Sequence, residues 1–262
     1  MKPRFALFTS LIFFVLAGLA CQSASNIFAT PTPTYTITPS PTPTSTPSPT
    51  STPSLTPTPL SGVQFEKQPD NSNRVADYES GYAILLSEDW LPLPADVDAL
   101  KAAADKVSGS NPEMADMLKG FQALNNESFK LIAINQNKEY RDSAMMTNLL
   151  IFEFKDKLMA ALPLDILVEV NVEQLKSVAT VTKALSHGTD KNQNNVEYGY
   201  IELETTVKQG ARSVKAYQYM IFVKTGAPHL LTFTLTVPDS KKAGGKKLVQ
   251  EVIDSIELLE TK

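Results

Sequence analysis

Three stretches near the end of the chain decide its fold: Val196-Glu-Tyr-Gly-Tyr-Ile-Glu-Leu-Glu-Thr-Thr-Val-Lys208, Val214-Lys-Ala-Tyr-Gln-Tyr-Met-Ile-Phe-Val-Lys224 and Leu230-Leu-Thr-Phe-Thr-Leu-Thr-Val237. Each is rich in aromatic and β-branched residues, the composition that packs well on a pleated surface. Alternation places Tyr200, Glu202 and Glu204 on one, solvent-facing side of the first stretch. Gln209-Gly-Ala and Thr225-Gly-Ala-Pro separate the stretches and are short enough for antiparallel hairpins. A fourth strand is expected before them over Val181 to His187, with Asp190-Lys-Asn-Gln-Asn-Asn as its connection.

Helices are expected on either side of this meander. One begins near Pro163 and runs to about Val178, burying Leu164, Leu167, Val168, Leu175 and Val178; another runs from Ser240 to about Ile253. Upstream, Asp96 caps a helix carrying Val97, Leu100, Ala104 and Val107 on one face. Asn111-Pro112 opens a second with the stripe Met114, Met117, Leu118, Phe121. Strands are expected over Phe129 to Asn135 and Met146 to Phe154. A first strand, Tyr82 to Leu86, ends in a turn at Ser87-Glu-Asp-Trp90 followed by Pro92 and Pro94. The expected class is α+β: an antiparallel β-sheet flanked by helices in an α/β/α sandwich.

The first 61 residues read differently. Pro31 to Leu60 is nearly all Pro, Thr and Ser, which cannot bury enough apolar area to offset backbone ordering, so a disordered linker is expected over residues 21–61. At ~3.1 Å per residue, about 40 such residues reach roughly 120 Å. Before it, Lys2 and Arg4 precede an apolar stretch from Phe5 to Leu19 and the run Leu-Ala-Gly-Leu-Ala-Cys21, whose cysteine is unique in the chain. This resembles a bacterial lipoprotein signal, which implies a signal peptide over residues 1–20 and lipid on Cys21. Gly18 stands where such signals usually carry Leu. The resemblance implies a protein anchored to the outer face of the cytoplasmic membrane or to the outer membrane.

Residues 62–262 form the expected globular domain, without cysteine and with 22 Lys and Arg against 28 Asp and Glu. That acidic balance disfavours nucleic acid as a partner. His187 and His229 are the only histidines, and neither has a metal-ligating or triad partner at nearby spacing. No P-loop, Gly-x-Ser-x-Gly, His-Glu-x-x-His or Gly-x-Gly-x-x-Gly occurs, so no catalytic residue, metal or cofactor is expected. One cationic feature stands out: Lys241, Lys242, Lys246 and Lys247 cluster at the start of the last helix, where the helix dipole also favours anions. They are the candidate docking point for an anionic partner. A second candidate is a cleft between sheet and helices near Trp90 and Phe121.

Gly81-Tyr-Ala-Ile-Leu-Leu-Ser-Glu-Asp-Trp90 resembles the opening of PsbP-like domains, and Leu231 to Pro238 through Val252-Ile-Asp-Ser-Ile-Glu257 resembles their closing strand, helix and final strand. The similarity spans most of residues 75–260 and rests on structural positions. It implies a PsbP-like sandwich in which Trp90 covers a core edge and Ile253, Ile256 and Leu258 fix the last elements. Members of that superfamily mostly bind other proteins, so the resemblance implies a non-catalytic protein-binding or scaffold module. An envelope protein or cell-wall polymer is the expected partner. The alternatives are a module for small ligands or anionic polymers and a hydrolase built on scattered carboxylates.

Overall fold

The computed structural model describes residues 62–122, 128–142, 145–178, 183–209, 212–226 and 228–260. The expected signal peptide, Cys21 and the Pro/Thr/Ser segment lie outside the described residues. Among the described residues every strand pairing is antiparallel, and the strands form two sheets. The larger has seven strands in the order β4 (Trp90–Pro94), β5 (Phe129–Asn135), β6 (Asn148–Lys155), β10 (His229–Pro238), β9 (Arg212–Gly226), β8 (Glu197–Gln209) and β7 (Lys183–Lys191). The smaller has β1 (Val63–Lys67), β2 (Asn73–Asp77), β3 (Tyr82–Leu86) and the two-residue β11 (Glu257–Leu258).

The large sheet is the middle layer, and alternation splits its side chains between two cores. On one face, Leu131, Leu149, Ile151, Tyr217, Ile221, Phe233 and Leu235 pack against Val75, Tyr82 and Ile84 of the small sheet and against Leu248, Val252 and Ile253 of helix α5 (Lys242–Ser255). The opposite face carries two separate helical clusters. Near β5 and β6, helices α1 (Val97–Val107) and α2 (Pro112–Gln122) bury Leu100, Ala104, Met114, Leu118 and Phe121 against Ile132, Ile134 and Phe152. Near β8 and β9, α4 (Leu164–Val178) buries Leu164, Leu167, Val168 and Val172 against Ile201, Leu203, Met220 and Phe222. A short helix, α3 (Lys157–Ala161), leads into α4.

The fold is therefore α+β with helices on both faces of the large sheet, and one outer layer mixes the small sheet with α5. The expected caps are in place: Asp96 Oδ1 accepts from the Ala99 N–H at 2.8 Å, and Asn111 Oδ1 from the Met114 N–H at 3.1 Å. The turn expected at Ser87 to Trp90 is in place, with the Trp90 N–H donating to the Ser87 carbonyl, and the segment that follows it, with Pro92 and Pro94, runs on as edge strand β4. Ala95 N–H donates to the Lys130 carbonyl, so the odd-numbered amides face β5 and the proline nitrogens of Pro92 and Pro94 face the free edge, where no donor is needed. The first two strands, β1 and β2, were not expected: the alternation of Val63 to Glu66 is only four residues long, and β2 shows none. The strand expected to end at His187 runs on to Lys191, leaving a tighter turn at Asn192 to Asn195. Among the described residues no helix is long and apolar enough to cross a membrane.

Candidate functional site

The four lysines proposed for docking lie where the sequence placed them, at the start of α5, but three of them face carboxylates of this chain. Lys242 Nζ is 2.7 Å from Glu204 Oε1 and 5.3 Å from the Tyr217 ring centre; Lys246 Nζ is 3.2 Å from Glu202 Oε2; Lys247 reaches Glu251 at 3.8 Å. Glu202 and Glu204 do share a face with Tyr200, as alternation requires, but that face looks toward α5 rather than into open solvent. The Lys242 hydrogen bond also holds the Glu204 carboxyl below the usual range.

Gly244 and Gly245 do not loosen this helix start. An added Cβ would lie 2.6 Å from Val237 Cγ2 at Gly245 and 2.7 Å from Tyr140 Cε1 at Gly244. Their bare backbone lets α5 seat directly on β10 and on the Tyr140 ring.

Trp90 and Phe121 do not share a cleft. Both are buried, but Trp90 points into the core between the sheets and Phe121 into the α1–α2 cluster on the other face of β4 to β6. The cleft expected there is filled by Leu91, Leu93, Ile132 and Ile134.

Sequence reading missed the partners of both histidines. His187 Nε2 lies 3.0 Å from Glu169 Oε1 on α4. His229, at the start of β10, places Nδ1 2.5 Å from Oε1 of Glu153 on β6. The Glu153 side chain has no exposed surface; Lys130 Nζ sits 2.8 Å from its Oε2 and Lys155 Nζ 3.6 Å away. Burial would raise the Glu153 carboxyl, but hydrogen bonds from Lys130 and His229 outweigh it and hold the group below the usual glutamate range. Lys155 continues outward to Glu79 at 2.7 Å, so the network ties β5, β6 and β10 to the β2–β3 turn of the small sheet. In that turn Asp77 accepts from the Glu79 and Ser80 amides and from the Ser80 hydroxyl. The neighbouring Tyr82 hydroxyl is fully buried, and burial together with the charges of Asp77 and Glu153 pushes it well above its ordinary value. This cluster is a compensated structural interlock between the sheets. Among the described residues no three His, Cys, Asp or Glu side chains are grouped to hold a metal ion.

The described surface offers a cleft elsewhere, on the outer face of the small sheet. It has a volume of about 350 Å³, within the range of small-ligand sites, and lies between the β1–β2 turn and the end of α5. Ala83 and Leu85 contribute apolar floor; Asp70, Ser72, Arg74, Ser255 and Glu257 supply polar groups. Arg74 reaches Glu66 at 3.5 Å and Glu257 at 3.8 Å, longer than the 2.7–2.9 Å of strong charge-assisted bonds. Asp70 accepts from both the amide and the hydroxyl of Ser72, and these bonds lower its carboxyl. No motif marked this cleft in the sequence, because Asp70, Arg74, Leu85 and Glu257 come from four elements.

No family profile and no curated protein matches the chain. Among solved structures it is similar to LpqN of Mycobacterium tuberculosis, a protein involved in cell envelope biogenesis, at 5% identity over 68% of this chain and 83% of that one, with a TM-score of 0.40. It is also similar to the Ran-binding protein Mog1p of Saccharomyces cerevisiae, at 13% identity over 73% and 97% of the two chains, with a TM-score of 0.39. The type VI secretion immunity protein TplEi of Pseudomonas aeruginosa matches at 12% identity over 76% of each chain, with a TM-score of 0.33.

Proposed function

We propose that this protein is a lipid-anchored extracytoplasmic binding module: a PsbP-like domain held on a Pro/Thr/Ser tether and acting on a partner protein without catalysing a reaction. The observation that carries the reading is the N-terminal sequence, in which a charged start, an apolar stretch and Leu-Ala-Gly-Leu-Ala converge on the single cysteine, Cys21. Lipid on that thiol contributes about 0.8 kcal/mol of membrane residence per buried methylene. The linker composition suits a spacer between the anchor and residues 62–262.

The folded part supports binding over chemistry. The best-built charged cluster, around Glu153, is internally compensated, and the cleft beside Arg74 combines apolar floor with groups suited to recognition.

Membrane fractionation of the full chain tests the reading. The wild type is expected in the membrane fraction with a lipid-modified N-terminal Cys21 peptide by mass spectrometry, whereas Cys21→Ala is released or remains uncut. An unmodified Cys21 thiol in membrane-extracted protein overturns it.

A further inference from the structure

The cleft on the small sheet lies where β11 stops short. Glu257 is opposite Ala83 and Leu258 opposite Tyr82, and the Leu259 N–H donates to the Gly81 carbonyl. The Gly81 carbonyl and the main-chain groups of Ala83 therefore turn toward β11, while the Gly81 N–H donates to the Asp77 carbonyl in the β2–β3 turn. Such groups alternate sides along a strand, so those of Leu85 point the same way. The register would set Ser255 opposite Leu85, but Ser255 ends α5, and the Ile256 N–H bonds back to the Ile253 carbonyl. The edge of β3 thus opens into the cleft at Leu85, a residue 43% exposed beside its cross-strand neighbour Arg74.

The charge of the cleft selects what can fill it. Its lining holds two carboxylates, Asp70 and Glu257, against one guanidinium, Arg74, which Glu66 and Glu257 already bracket. A ligand carboxylate would have to displace those glutamates. A ligand cation instead meets a lining with one more carboxylate than guanidinium.

We propose that this cleft binds a short extended segment of a basic partner protein. The segment pairs its main chain with Leu85 as an added strand, and sets a Lys or Arg side chain against Glu257 and Asp70 while an apolar neighbour covers Leu85. This deepens the binding-module reading and rests on it.

Calorimetric titration of the full chain in detergent tests the proposal with three peptide probes: acetyl-Val-Lys-Val-Lys-Val-amide, its Glu-for-Lys counterpart, and the Lys peptide N-methylated at alternate residues on either edge. The Lys peptide is expected to bind, with the Glu peptide and at least one N-methylated form at least ten-fold weaker. The paired change Asp70→Asn and Glu257→Gln, both at exposed positions, should weaken the Lys peptide several-fold and lower thermal unfolding only slightly, as expected of exposed carboxylates. Equal binding of the Lys and Glu peptides, indifference to N-methylation on both edges, or no binding of the Lys peptide at millimolar concentration each overturns the proposal. Membrane location is read separately at Cys21, so failure of the anchor and failure of the cleft give different results.

Discussion

Glu153 and His229 lie 76 residues apart in sequence, and their side chains meet at 2.5 Å in the core between the two sheets. A carboxylate without exposed surface is costly unless it is paired and hydrogen-bonded, and Lys130 and His229 meet that requirement from the strands on either side of β6. Lys155 carries the same charge network out to Glu79 on the β2–β3 turn. The large sheet therefore grips the small one through ionic bonds at this end and through apolar packing along the rest.

Removing one member of this network should be far more damaging than removing a surface charge. Lys130→Met is expected to cost about 3 kcal/mol, because it leaves a buried carboxylate short of its nearest cation. Urea unfolding at pH 7 measures this; a loss under about 1 kcal/mol would show that Lys155 and His229 suffice.

The pH dependence follows from the sign of the Glu153 shift. Its folded-state carboxyl is depressed below the usual range, so its contribution is complete above the unfolded value of about 4.3 and is lost as pH falls through the folded value. The stability gap between wild type and Glu153→Gln should be constant from pH 8 to about 6 and narrow below about 4. A gap that widens in acid contradicts the assignment.

Asn192 offers a second test, because one amide joins two distant parts of the fold. Its Nδ2 donates to the carbonyls of Ile253 at 2.7 Å and Ile256 at 2.8 Å, and its Oδ1 accepts from the amides of Asn194 and Val196. Asn192→Ala should cost about 2–3 kcal/mol through four lost bonds and a buried Val196 amide left without its acceptor. Hydrogen exchange should then rise first at the end of α5 and in the β7–β8 turn.

The strands β8, β9 and β10 were legible because their residues alternate over long runs, and α1 and α2 because Asp96 and Asn111 are recognisable caps. β1 and β2 were not, since Val63 to Glu66 alternates for only four residues, Arg74 and Asp77 leave β2 two apolar residues, and pairing of β1 with β2 and of β2 with β3 is what defines them. Strand β4 was hidden for a local reason: Pro92 and Pro94 read against a strand, while at a sheet edge their missing donors carry no penalty. The Glu153 network and the cleft were illegible because each assembles residues that no spacing rule connects. The lysines at the start of α5 were visible as a cluster, but Glu202 and Glu204, some 40 residues earlier, are what face two of them.

That pairing separates the lysines into two groups. Lys242→Glu and Lys246→Glu set like charges beside Glu204 and Glu202 and should together cost about 1 kcal/mol, falling as salt is raised. Lys241→Glu and Lys247→Glu should together stay within about 0.5 kcal/mol of wild type. Thermal unfolding at low and high ionic strength distinguishes them, and equal effects of the two pairs would show that the contacts of Lys242 and Lys246 contribute nothing in solution.

Two helical glycines should respond to alanine with opposite signs. At Gly120 in α2 an added Cβ meets nothing within 4 Å, so Gly120→Ala should gain about 0.5–1 kcal/mol by restricting the unfolded chain and favouring the helix. At Gly245 the same methyl would stand 2.6 Å from Val237 Cγ2 and 3.2 Å from its Cβ, with Val237 fully buried in β10. A β-branched side chain cannot rotate out of the way cheaply, so α5 must lift from the sheet, and Gly245→Ala should lose about 1–3 kcal/mol despite its better helix propensity. If both substitutions stabilise the protein in denaturant titrations, α5 does not rest on β10 as closely as the Gly245–Val237 contact requires.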